Sequence, residues 1–216
     1  TYMSRIRPFI GKDLVKVLTG IRRSGKSVML DLIKEELCAS GVDSSQFISI
    51  NFENMSNAHL CTAVALHNEI IRRASEIKGK VYLFFDEIQE VDAWEKCINS
   101  FRVELDCDIY ITGSNAKLLS GELATYLAGR YVEFVVYPFS FAEFIELYHT
   151  VYPNTDNRQC FSRYLTAGGM PYLSNLRYDE AASRQYLRDL WGSVELKDIV
   201  KRNKIRDVDM LERIIA

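Results

Sequence analysis

Hydrophobic residues follow two rhythms along this 216-residue chain. Up to about residue 137, short apolar runs at 14–19, 46–52, 80–85, 108–112 and 131–136 alternate with stretches whose apolar positions recur every three or four residues. The runs predict strands. The periodic stretches predict helices over roughly 58–77, 93–104 and 116–127, and after residue 28, where Val28, Met29 and Leu30 are followed by Leu32, Ile33 and Leu37. Strands alternating with helices build a parallel sheet covered on both faces. Past Pro138 the pattern is helix upon helix, at 141–149, 158–166 and 180–202, broken at Pro153-Asn154 and at Gly168-Gly169-Met170-Pro171. The expected architecture is α/β over residues 1–137, a five-stranded parallel sheet with helices on both faces, followed over 138–216 by a small all-helical unit and the start of a truncated C-terminal region.

Composition adds mainly exclusions. With 48% hydrophobic and 26% charged residues and a net charge of −2, the chain reads as soluble, with one sizeable core or one core and a small appendage. Near-neutral balance gives no electrostatic case for nucleic acid or a membrane surface. No apolar run approaches the roughly 18 residues of a membrane span, so cytoplasm is the expected compartment. The five cysteines form no C-x-x-C pair, which favours reduced thiols over disulfides or a zinc site. The chain opens on Thr1 and stops inside an apolar periodic stretch with no capping residue. It is therefore expected to be a piece ending before a further domain.

The first predicted strand leads directly into Gly20-Ile21-Arg22-Arg23-Ser24-Gly25-Lys26-Ser27, which matches G-x-x-x-x-G-K-[ST] at every fixed position. Between a strand and a helix this loop presents unpaired backbone N–H groups and the positive end of the helix dipole to the phosphates of a nucleoside triphosphate. Lys26 is expected to reach the β- and γ-phosphates, and Ser27 to ligate Mg²⁺. Gly20, Arg23, Ser24, Gly25 and Val28 complete the expected nucleotide contacts. Arg22 and Arg23 sit at variable positions of the motif, where side chains also point to solvent.

A second chemical motif ends the 80–85 run: Val81-Tyr82-Leu83-Phe84-Phe85-Asp86-Glu87. Asp86 at a strand tip would hold Mg²⁺ through its water shell, and Glu87 would polarise the water that attacks the γ-phosphate. Four apolar residues before an Asp are common. Sixty residues downstream of a P-loop lysine, the string becomes informative. The bland alternative is a pair of acids capping the next turn.

These two motifs, with Trp94, Ile111-Thr112-Gly113-Ser114-Asn115, Leu127-Ala128-Gly129-Arg130 and Pro138-Phe139-Ser140-Phe141, resemble the AAA+-type P-loop ATPases of bacteria and archaea. The resemblance covers nearly the whole chain. It implies an ATPase core, a small helical lid, and normally a C-terminal winged-helix and nuclease-like region. It also implies ATP and Mg²⁺ as ligands, and a sensor-1 role for Ser114 or Asn115, which compete with an N-cap role for the next helix. Arg130 becomes a candidate arginine finger supplied to a neighbouring copy, against a salt-bridged arginine at a strand start. Gly169 and Pro171 match the G-x-P turn with which related lids contact adenine, against a helix C-cap glycine and a stop proline. An unknown protein partner or the C-terminal region would take the output.

Two readings of the function stand. One is an ATPase whose hydrolysis drives a conformational cycle, with Glu87, Lys26, Arg130, Ser114 and Asn115 as catalytic groups. The other is a nucleotide-gated switch with negligible hydrolysis. A kinase has no use for the Asp86-Glu87 pair, and a GTPase lacks its N-K-x-D motif, since Asn203-Lys204-Ile205-Arg206 has no Asp. The basic residues Lys197, Lys201, Arg202, Lys204 and Arg206 are interrupted by Asp198, Asp207 and Asp209, so a solvated helix face is expected there rather than a nucleic-acid site.

Overall fold

The computed structural model describes residues 2–114, 127–194, 210 and 213. Five strands, β1 (Val15–Thr19), β2 (Phe47–Asn51), β3 (Val81–Asp86), β4 (Cys107–Thr112) and β5 (Tyr131–Val135), form one parallel sheet in the order β2-β3-β4-β1-β5. Because every strand is parallel, all five C-terminal ends lie along one edge. The P-loop follows β1 and the acid pair ends β3. The strand order inserts β4 between them.

Helices cover both faces, and β3 makes the reason visible. Val81, Leu83 and Phe85 point into a core with Leu66 and Ile70 of α3 (Ala63–Ala74) and Ile98 and Phe101 of α4 (Trp94–Glu104). Tyr82 and Phe84 point the other way, into a core with Ile6 of α1 (Tyr2–Ile6) and Met29, Leu30, Ile33 and Leu37 of α2 (Lys26–Ala39). An unbroken apolar run is what a strand buried on both faces requires.

Two details depart from the sequence pattern. The helix expected over 58–77 is divided: Met55–Leu60 form a 3₁₀ turn and α3 begins only after Thr62. Side-chain caps impose the break, since Asn54 accepts from the Ser56 N–H and Thr62 from the Ala65 N–H, both competing with a continuous helical ladder. Lys16 and Asp108, inside the strands β1 and β4, form a fully buried ion pair. The Lys16 ammonium also donates to the Lys12 carbonyl (2.9 Å), while Asp108 accepts from the Gly11 N–H (2.7 Å) and the Tyr110 hydroxyl (2.8 Å). Burial lowers the Lys16 pKa against the opposing pull of Asp108.

Contacts divide the chain into residues 1–21 with 25–136, and 137–216 with 22–24. The second unit contains α5 (Phe141–Val151), α6 (Asn157–Ala167) and α7 (Glu180–Val194), packed around Phe144, Ala167, Met170, Leu173 and Tyr178. Helix α5 opens with a reciprocal cap between Ser140 and Glu143. Helix α6 ends at Gly168 (φ 73°), and Gly169 then runs so close to residue 139 that a Cβ would lie 2.1 Å from the Phe139 carbonyl oxygen. The Phe139 N–H donates to the Gly169 carbonyl at 2.7 Å. The helices expected over 116–127 and beyond residue 194 lie outside the described residues, apart from Leu127, which is not helical. All five cysteines are free, with Cys97 and Cys160 buried and Cys38 exposed. No helix among the described residues is long and apolar enough to cross a membrane.

Candidate nucleotide site

Helix α2 begins at Lys26 with Gly25 as its N-cap, in a left-handed conformation (φ 104°) and with no side chain to cap the first turn. Nothing lies within 4 Å of where a Cβ at Gly25 would stand, and no acid occupies the first turn. The orphan N–H groups are therefore left to an external acceptor, which fits a phosphate. Gly20 (φ 148°) and Arg23 (φ 62°) supply the other left-handed bends of the loop. Ser24 and Lys26 are buried, whereas Ser27 and Val28 are exposed.

Lys26 folds back over its own loop. Its ammonium donates to the carbonyls of Gly20 (3.4 Å) and Ile21 (3.2 Å) and pairs with Glu87 Oε1 at 3.5 Å. The structure thus brings together two groups that are 61 residues apart in the sequence. Glu87 is a non-glycine residue in the left-handed region (φ 55°, ψ 48°), a conformation that costs of order 1–3 kcal/mol and needs surrounding contacts to hold it. Three contacts do so. The Glu87 N–H donates to Thr112 Oγ1 (3.0 Å), Lys26 approaches Oε1, and the Gln89 amide donates to Oε2 (2.6 Å). Glu87, at the N-cap of the turn that follows, makes no side-chain cap to it.

Asp86 is held from both flanking strands. The Thr112 hydroxyl of β4 donates to Oδ1, and the Asn51 amide of β2 donates to Oδ2 at 2.9 Å. Asn51 is in register with Asp86, and Thr112 ends β4 one step past the Phe85–Ile111 pair, so three polar residues stand in a row on adjacent strand tips. Asn51 and Thr112 were not expected at the site. Their signal was present, since each is the polar residue that closes an apolar strand. Thr112 serves both acids at once: its hydroxyl donates to Asp86 and accepts from the backbone N–H of Glu87.

Among the described residues no three His, Cys, Asp or Glu side chains gather into a metal site. A carboxylate and a hydroxyl from two elements, as Asp86 and Ser27 supply, suit Mg²⁺, which takes one or two carboxylates and completes its shell with phosphate oxygens and water. Ser114 is buried with no hydrogen-bond partner for its hydroxyl among the described residues, and Asn115 lies outside them.

Arg130 is not at this edge. Its carbonyl accepts from the Val15 N–H (3.0 Å) at the opposite end of the sheet, and its exposed guanidinium donates to Asn99 Oδ1 (2.9 Å). With Val15 opposite Tyr131, Arg130 is level with residue 14, six residues or about 20 Å from Gly20 at the parallel-strand rise. Gly169 and Pro171 belong to the helical unit. Gly169 meets the Phe139 backbone and Pro171 opens a 3₁₀ turn, Pro171–Ser174. The basic residues from Lys197 to Arg206 lie outside the described residues.

A parallel sheet with the P-loop after β1, the acid pair on β3 and a strand between them defines a P-loop nucleoside-triphosphatase fold of the AAA+ type. A family model described as an AAA domain matches residues 12–145, and the chain belongs to that family. It is similar to an uncharacterized protein of Haemophilus influenzae, 37% identical over 217 residues, and to one of Methanocaldococcus jannaschii, 32% identical over 203 residues. The matches take in 99% and 90% of this chain but 53% and 44% of those proteins, so the chain spans about half the length of these curated relatives. Among solved structures it is similar to AMPPCP-bound DnaA from Aquifex aeolicus (TM-score 0.54, 14% identity, 98% of this chain and 66% of that one). It is also similar to a RuvB mutant from Thermotoga maritima (TM-score 0.52, 14% identity, 78% and 56%). At these identities the likeness is one of fold.

Proposed function

We propose that this protein binds ATP with Mg²⁺ and hydrolyses it, coupling nucleotide state to movement of the helical lid over 138–216 and of whatever follows it. The observation that carries this reading is the meeting of Lys26 and Glu87 at 3.5 Å, beside an Asp86 locked by Thr112 and Asn51. The uncapped N-terminus of α2 takes the phosphates, with Gly20, Arg23, Ser24, Gly25 and Val28 around them, and Ser27 and Asp86 hold the metal. Lys26 leaves Glu87 for the β- and γ-phosphates. Glu87 then accepts a proton from water as the water oxygen bonds to the γ-phosphorus, and the bridging oxygen leaves with ADP. The metal, when bound, neutralises charge developing on the phosphates.

Ser114 and Asn115 follow β4 and are assigned to water orientation, and Gly169 and Pro171 to the lid side of the nucleotide. Arg130 is too far from its own P-loop to serve it, which supports a finger given to a neighbouring copy in a homo-oligomer. AMPPCP is bound in the DnaA structure, which is similar in fold, and that agrees with the nucleotide proposed. Cytoplasm is the proposed compartment.

Steady-state phosphate release by the full-length protein, parent against Glu87→Gln, tests hydrolysis. Lys26→Ala tests binding. ATP and Mg²⁺ at a hundredfold excess over Kd should stabilise the parent by about 2.7 kcal/mol through linkage and leave Lys26→Ala unmoved. The Glu87→Gln variant should keep that stabilisation and lose turnover. A parent that binds ATP and releases no phosphate in any assembly would leave a nucleotide-gated switch instead.

A further inference from the structure

Gln89 lies two residues past Glu87, on the 3₁₀ turn Ile88–Glu90. Its side chain turns back on the acid, with Nε2 donating to Glu87 Oε2 at 2.6 Å. The orientation of the amide follows from chemistry, because a carboxylate only accepts and the NH₂ must face it. That choice leaves the other end of the same amide in an unusual condition. Gln89 Oε1 is buried and has no hydrogen-bond partner among the described residues. A buried carbonyl without a donor costs of order 1–3 kcal/mol and calls for an explanation.

The geometry points to Gln89 as a positioning residue for hydrolysis, which orients the Glu87 carboxylate through its amide N–H and offers its carbonyl as a second acceptor to the attacking water. The inference rests on the hydrolytic reading above. Once Lys26 leaves Glu87 Oε1 for the phosphates, the Gln89 amide on Oε2 is the side-chain contact that still holds the carboxylate, on a backbone pinned by Thr112. A water donating one hydrogen to Glu87 and the other to Gln89 Oε1 has no hydrogen left to turn toward phosphorus, so it presents a lone pair. The proton passes to Glu87 alone. An amide cannot take it, and the bonds made and broken are those of the parent reaction.

The test uses the full-length protein, with ATP and Mg²⁺, and two substitutions. Gln89→Leu removes donor and acceptor, and Gln89→Glu keeps the shape while setting a second carboxylate against Glu87. Both should lower kcat roughly 10- to 100-fold, the scale of a misplaced catalytic group, with ATP affinity within about twofold of the parent. ATP-dependent thermal stabilisation reports the folded site in each, and Gln89→Glu carries the prediction if the leucine variant does not fold. The deciding measurement is a double-mutant cycle by single-turnover hydrolysis. In a Glu87→Gln background, Gln89→Leu should cost clearly less than it does in the parent, because the carboxylate that Gln89 orients and the base that takes the proton are already gone. Multiplicative losses, an equal loss of ATP affinity, or parental kcat in both variants would overturn the proposal. A parent whose phosphate release is indifferent to Glu87→Gln would instead remove the hydrolytic reading on which it stands.

Discussion

Replacing Asp108 by Asn probes the polar cluster that sits in the middle of an otherwise apolar sheet. The carboxylate serves three donors: Lys16 on Oδ1, and the Gly11 N–H and Tyr110 hydroxyl on Oδ2. An amide of the same shape has one acceptor and one donor end, so either its NH₂ confronts the buried Lys16 ammonium or it confronts the Gly11 N–H. Breaking a buried pair from one side costs about 3–5 kcal/mol. For a chain of this size each kcal/mol moves the melting temperature by roughly 2–4 °C, so the expected fall is about 6–20 °C. In a Lys16→Met background the NH₂ can face the thioether while the carbonyl accepts from Gly11 and Tyr110, and the cost of Asp108→Asn should shrink to about 1 kcal/mol. Urea unfolding at constant m-value reads both numbers. The pH dependence has a definite sign. Burial already lowers the Lys16 pKa in the fold, and loss of Asp108 lowers it further. The unfolded chain then binds more protons, so the variant gains stability as pH rises from 7 toward the ordinary lysine value and its deficit narrows. Asp108 is four residues before Thr112, about 13 Å along β4, so ATP-dependent stabilisation should survive. A loss below about 1 kcal/mol, or the same loss with Lys16 already replaced, would refute the assignment.

The remaining predictions concern the assembly and the helical unit. Arg130→Ala subunits should bind ATP yet turn over slowly, since arginine fingers contribute roughly 10³ to 10⁵ in rate; mixing them with Glu87→Gln subunits, dead in their own sites but with Arg130 intact, should restore phosphate release. A mixture shown to associate but still inactive would return Arg130 to its bond with Asn99. Gly169→Ala should destabilise the helical unit by about 1–3 kcal/mol, because its methyl would meet the Phe139 carbonyl oxygen at 2.1 Å. A melting temperature unchanged by that methyl would mean the approach of the two segments is looser than described.

Local chemistry carries far in this chain. The P-loop is legible because its chemistry needs glycines with positive φ, an uncapped helix and a lysine at fixed spacing, all of which lie within eight consecutive residues. The inner strands β1, β3 and β4 were legible because burial on both faces leaves no room for alternation, and the edge strands β2 and β5 because they remain short, mostly apolar runs. Where a side chain's role depends on a neighbour brought by another strand, the one-dimensional pattern is silent. That β4 lies between β1 and β3 is a choice of strand order, and it alone sets Thr112 beside Asp86 and under Glu87. Asn51 reaches Asp86 by the register of β2 on β3, and Lys16 finds Asp108 by that of β1 on β4, across 92 residues of sequence. The same parallel geometry places Arg130 about 20 Å from the P-loop of its own chain, a separation fixed by strand rise rather than by residue type. Sequence determined the groups that can touch a phosphate; the order and register of the sheet decided which groups hold them in place.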